Sequence, residues 1–117
     1  MNIEEWKSQL KRGILEYCIL LLIRSKPSYG YEIMSEISRW NIIAAKESTI
    51  YPLLRRLLKE GYLEASWKES QEGIPPRKYY HITDSGREFL DCMSLEWHNL
   101  VEVIGELKGR KVENDGE

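Results

Sequence analysis

Ser48–Gly61 reads STIYPLLRRLLKEG, and the rest of the chain is organised around it. Ile50, Leu53, Leu54, Leu57 and Leu58 fall at i, i+3, i+4, i+7 and i+8, the apolar stripe of an amphipathic helix. Ser48, Thr49, Tyr51, Arg55, Arg56 and Lys59 lie off that stripe, with no carboxylate before Glu60. Hydroxyls, a phenol and cations on one face suit phosphates and base edges. An ordinary surface helix with three basic residues is the plain alternative, so the flanking sequence must decide. Ser48 or Thr49 is placed to cap the helix, and Gly61 suits its C′ position. Pro52 then belongs within or just after the first turn, where a missing N–H does least harm.

Upstream, Gln9–Arg24 is charged at its start and apolar on nearly every face from Ile14 onward. A helix hydrophobic all round is buried on more than one side, so it needs its own domain and a second partner. Lys26-Pro27 ends it, because the residue before proline disfavours the helical region. Ser28 is expected to cap a second helix, Tyr29–Trp40, with Ile33, Met34 and Ile37 as its stripe. Gly30 in its first turn fits either a close approach by a neighbouring helix or no special role.

Downstream, Tyr62–Lys68 alternates with period two, setting Leu63, Ala65 and Trp67 against Tyr62, Glu64, Ser66 and Lys68, which predicts a half-buried strand. Arg77–Ile82 is a second β-type run with Tyr80 and Ile82 inward, and the polar ESQEGIPP between them predicts a hairpin tip. Thr83 caps the last helix, with Asp84 in its first turn. There Leu90, Met93, Trp97, Leu100, Ile104 and Leu107 step by 3, 4, 3, 4 and 3, the a and d positions of nearly three heptads. Such a seam wants a partner helix, in a second subunit or in the first helix of the same chain. Fully buried, six such residues would supply on the order of 10 kcal/mol per subunit as an upper bound. Gly109–Glu117 has no apolar period and reads as a flexible tail.

Composition sets the outer limits. The chain has 117 residues, 42% hydrophobic and 31% charged, which describes one soluble globular domain. Its longest apolar run, Tyr17–Ile23, is far short of the roughly 20 residues that span a bilayer, and the N-terminus does not resemble a secretory signal. Cys18 and Cys92 both fall inside helical patterns and read as small buried hydrophobes in a reduced compartment, so a cytoplasmic protein is expected. Net charge is −2, but residues 1–82 carry 13 Lys and Arg against 10 Asp and Glu, while residues 83–117 carry 4 against 9. A polyanion partner should therefore meet the first two-thirds of the chain.

Three helices, a hairpin and a fourth helix form the plan of a winged helix-turn-helix, a mainly α fold with a small β-hairpin. We assign residues 1–82 to a DNA-binding domain, 83–108 to a dimerisation helix and 109–117 to the tail. The third helix would enter the major groove and the hairpin would be the wing, bringing Lys68, Arg77 and Lys78 to phosphates or the adjacent minor groove.

The residues also resemble a family. Tyr29-Gly30-Tyr31-Glu32, then Ser48–Leu57, Glu60-Gly61, Pro76–Tyr80, Thr83 and Gly86 resemble, in that order, the PadR family of bacterial transcriptional regulators, over roughly residues 10–108. The resemblance implies a homodimeric repressor. Short-tailed members dimerise through their first and last helices, which here involves Ile14, Leu21, Leu90, Met93, Trp97, Leu100, Ile104 and Leu107. Some resemble multidrug-sensing repressors, in which a Trp on the last helix stacks on flat aromatic ligands at the dimer interface. Trp97 holds that position, with Tyr17 and Cys18 as further candidates, though a seam tryptophan also simply packs. In this chain His98 and Asn99 follow it, so relatives' ligand preferences do not transfer.

On this reading Thr49, Tyr51 and Arg55 touch base edges or nearby phosphates, Ser48, Arg56 and Lys59 hold the backbone, and Arg77 and Lys78 anchor the wing. The partners expected are a pseudo-palindromic DNA operator, a second copy of the chain and a small aromatic effector; no membrane, cofactor or metal is implied. An enzyme is disfavoured: His81 and His98 have no ligand-spaced Cys or carboxylate, and there is no phosphate loop, nucleophile elbow or CxxC. The stronger rival is a winged-helix module that binds protein and not DNA, to which a pI near 5.8 gives some weight.

Overall fold

The computed structural model describes residues 1–69 and 71–113. Its elements run α1 (Ile3–Ser25), β1 (Ser28–Tyr29), α2 (Gly30–Ile37), α3 (Glu47–Lys59), β2 (Leu63–Lys68), β3 (Arg77–Ile82) and α4 (Asp84–Lys108). The expected winged helix-turn-helix with a long last helix is present, and three local readings are corrected. α1 begins well before Gln9, because the Asn2 side chain accepts from the Glu5 N–H at 2.9 Å and caps an earlier start. Ser28 caps nothing: it is buried in a two-residue strand that pairs antiparallel with β3, so the wing belongs to a three-stranded sheet of order β1-β3-β2. α2 starts from Tyr29 instead, whose N–H donates to the Glu32 carboxylate at 3.2 Å, and it ends at Ile37, short of Trp40.

The core gathers one side of each element. Leu15, Ile19, Leu20 and Ile23 of α1 meet Ile33 and Ile37 of α2, Ile50, Leu54 and Leu57 of α3, Leu63 and Tyr80 of the sheet, and Leu90 of α4. Leu90 was expected on the seam with a second subunit. It is fully buried in its own chain, because α4 enters beside the sheet and spends its first two turns on this core, with Phe89 stacked on Tyr62 at 4.4 Å.

That entry is pinned locally. Gly61, at φ +80°, turns the chain out of α3. Its carbonyl accepts from the hydroxyls of Thr83 (2.6 Å) and Ser85 (3.0 Å), and Thr83 Oγ1 in turn accepts from the Gly86 N–H at 3.0 Å. The expected cap at Thr83 thus also ties the end of the third helix to the start of the fourth.

Past Met93, α4 leaves the body as an arm. Trp97, Leu100, Ile104 and Leu107 are 37–53% exposed. The radius of gyration, 18.5 Å, exceeds the ~13 Å of a compact chain this long, and the longest dimension is 77 Å. α4 stops at Lys108; residues 109–113 follow it exposed, and the last four residues of the expected tail lie outside the described residues. Among the described residues no helix is long and apolar enough to cross a membrane.

Candidate nucleic-acid interface

α3 is held by its stripe, with Ile50, Leu54 and Leu57 buried and Leu53 and Leu58 partly so. Ser48, Thr49, Arg55, Arg56 and Lys59 are accordingly exposed on the other side. The helix starts earlier than either hydroxyl would set it: Lys46 is the N-cap residue and Glu47 the first helical one. Ser48 and Thr49 therefore cap nothing and stand in the first turn, where side chains reach a groove. The first turn also carries one carboxylate, Glu47, outside the stretch read as carboxylate-free. Lys46 is a cation at the mouth of the site that the sequence reading missed; only a correct cap position would have revealed it.

Tyr51 differs from its exposed neighbours. It is half-buried, with its ring laid against Gly30 at the start of α2. The close approach that could explain Gly30 is thus made by a side chain and not by a helix backbone. Burial first, and then Tyr51, push the hydroxyl of Tyr80 in β3 above its ordinary range, while the Arg55 charge opposes the rise.

The two candidate arginines are not equivalent. Arg56 forms an ion pair with Glu16 of α1, so its charge is partly spoken for by its own chain. Arg55 has no carboxylate within ion-pair distance among the described residues.

On the wing, Arg77 is exposed and Lys78 half-buried. The Arg77 guanidinium stands 4.5 Å from the centre of the Tyr29 ring, Lys78 Nζ 5.5 Å from that of Tyr80, and Lys68 Nζ 5.1 Å from that of Tyr79. Stacking on rings holds these cations in place while leaving their N–H groups free to donate. The strand was expected to be half-buried along its length, yet only Leu63 of β2 is buried, because the hairpin runs out past the edge of the core.

The second expected site divides. Tyr17, Trp97, Ile14, Met93 and Leu100 line a groove of about 420 Å³ between α1 and α4. Tyr17 donates to Ser94 Oγ at 2.9 Å, and its ring centre is 6.3 Å from that of Trp97. Cys18 and Leu21 do not reach this groove. One residue on from Tyr17 turns the side chain by about 100°, and both line a separate apolar hollow of about 320 Å³ with Ile37, Trp40 and Ile43. Burial raises the Cys18 thiol above its ordinary range, which disfavours the thiolate. Among the described residues no group of His, Cys, Asp and Glu could hold a metal.

Comparison with known proteins accords with this geometry. Residues 19–92 match the model of the Transcriptional regulator PadR-like family. Over 94 residues the chain is 35% identical to the Negative transcriptional regulator PadR of Bacillus subtilis (strain 168), covering 78% of this chain but only 50% of that protein. The crystal structure of a PadR-like transcriptional regulator from Bacillus cereus strain ATCC 14579 is 38% identical, with a TM-score of 0.79 over 88% of this chain and 99% of the other. That of a PadR family transcriptional regulator from Eggerthella lenta DSM 2243 is 33% identical, with a TM-score of 0.82 over 93% and 94%. With a family model spanning more than half of the chain, the protein belongs to the PadR-like family and is a DNA-binding transcriptional regulator, not an enzyme.

Proposed function

We propose that the protein is a cytoplasmic homodimeric repressor that grips a pseudo-palindromic operator and is released by a flat aromatic effector. The observation that carries this reading is the α4 arm. Trp97, Leu100, Ile104 and Leu107 form an apolar face left 37–53% exposed, of the kind that marks an interaction surface, and a second copy would take it out of water. An isologous pair presents α3 twice, and successive major grooves on one side of a duplex lie roughly 34–36 Å apart. Thr49 and Arg55 then read base edges, with Tyr51 braced beside them. Ser48, Arg56 and Lys59 hold phosphates, and Arg77 and Lys78 anchor the wing. The name of the B. subtilis relative supports negative regulation.

The groove between α1 and α4 supports the effector. An aromatic molecule stacked on Trp97 beside Tyr17 would alter how the arms cross, and so the spacing of the two reading helices. It acts only through its differential affinity for the two arrangements. The test is twofold. Sedimentation equilibrium should give a dimer mass, and duplex recovered by selection from a random pool should carry an inverted repeat. A monomer, or no enriched duplex, would overturn the reading. Flat aromatic compounds should quench Trp97 and release the duplex; quenching without release would leave Trp97 as an interface aromatic only.

A further inference from the structure

The wing carries a large aromatic side chain that the core does not cover. Trp67, next to last in β2, is 70% exposed. Among the described residues its indole takes part in no hydrogen bond and no ring contact. An indole held in water is costly, and buried indoles contribute strongly at interfaces.

The register fixes where it points. Leu63 pairs with Ile82, Ala65 with Tyr80 and Trp67 with Lys78. Alternation puts all six on one face of the ribbon. At the base of that face, Leu63 and Tyr80 belong to the core, in one cluster with Ile50, Leu54 and Leu57 of α3. The same face continues outward past the edge of the core and ends in Trp67 and Lys78. Lys68 and Arg77, the next pair toward the tip, turn to the opposite face of the ribbon, where they stack on Tyr79 and Tyr29. An indole beside one cation on the face that continues from the core, with two more cations on the reverse of the same ribbon tip, matches a groove whose walls alternate apolar sugar with anionic phosphate.

We propose that Trp67 is the wing's apolar contact with duplex DNA, its indole packed on the deoxyribose wall of the minor groove that flanks the major groove occupied by α3. Lys78, on the indole's face, takes the phosphate beside it, and Arg77, on the reverse face of the ribbon, takes one on the opposite wall of the groove. The inference rests on the operator reading above, and the two fail separately.

The test uses the full chain and a selected duplex of about 30 base pairs, long enough for two half-sites one turn apart. In one variant Trp6 and Trp40 become Phe while Trp97 is kept, and the emission of Trp67 is read as the difference from the same variant carrying Trp67→Phe. That emission should change on titration and saturate together with the anisotropy of the labelled duplex. Trp67→Ala should weaken binding about tenfold, and Trp67→Phe less. Neither should alter the salt slope, because no counterion is released by an uncharged contact, whereas Lys78→Ala should reduce the slope by about one. Trp67 is exposed, so the variants should keep the wild-type circular dichroism. If the duplex binds while Trp67 emission stays fixed and Trp67→Ala binds normally, the inference is wrong and the operator reading stands. If Trp67→Ala changes the dimer mass and leaves DNA affinity alone, a second copy covers the indole and the inference is again wrong. If the wild type binds no duplex, both fall.

Discussion

The ring of Tyr51 on α3 lies across Gly30, the first residue of α2: a Cβ on that glycine would stand about 3.0 Å from Cε1 and Cζ of the tyrosine, and nearer still to its hydroxyl. The two helices of the helix-turn-helix are therefore spaced by an aromatic ring seated where no side chain exists. Gly30→Ala should push the ring away and tilt the reading helix, costing about 1 kcal/mol in stability and weakening operator binding. In a Tyr51→Ala background the same change should cost little. A double-mutant cycle by thermal unfolding and duplex titration measures this coupling, and additive effects would refute it.

The arginines separate by their partners. Arg55, without a carboxylate of its own, should be the stronger contributor to DNA binding. Arg55→Ala is expected to lose ~1–3 kcal/mol of operator affinity if it reads a guanine. Arg56→Ala should lose less, because in the free protein Arg56 is already paired with Glu16. Affinities of both variants measured at several salt concentrations decide the order.

Leu90 and Ile104 have the same heptad logic and opposite surroundings. Leu90 is fully buried in its own chain, and Ile104 is 45% exposed on the arm. Leu90→Ala should lower folding stability by about 2–5 kcal/mol. Ile104→Asp should leave the monomer's fold intact and abolish the dimer. Denaturant melts and sedimentation distinguish the two outcomes.

Tyr80 gives the fold an alkaline limit. Its folded-state pKa is raised above the ordinary value of about 10, by burial first and then by Tyr51. Between the unfolded and folded values the native state holds a proton that the unfolded chain has lost. Stability is therefore complete below pH ~10 and falls as pH rises beyond it. Tyr80→Phe removes the titrating group, so the variant's melting temperature should decline less above that pH than the wild type's.

Local pattern carried most of the architecture. The stripe of α3, the alternation around Tyr80 and the cap at Thr83 are properties of neighbouring residues, so period and capping chemistry reveal them in the chain itself. The basic and hydroxyl face of Ser48–Lys59 was legible for the same reason: once Ile50, Leu54 and Leu57 are buried, the opposite face must meet solvent. What local pattern left open was how far each element extends past the core. Alternation assigns Leu63 and Trp67 to one face, yet only Leu63 lies over other side chains. The heptad step unites Leu90 with Ile104, yet only Leu90 reaches the body of its own chain. The pairing of Arg56 with Glu16, the seating of Tyr51 on Gly30 and the parting of Cys18 from Tyr17 likewise arise where separate elements meet. Residue order alone sets which side of each helix and strand is apolar, because side-chain period follows from backbone geometry. Which of those apolar positions are covered emerges only when the elements pack, because burial is a property of neighbours distant in the chain.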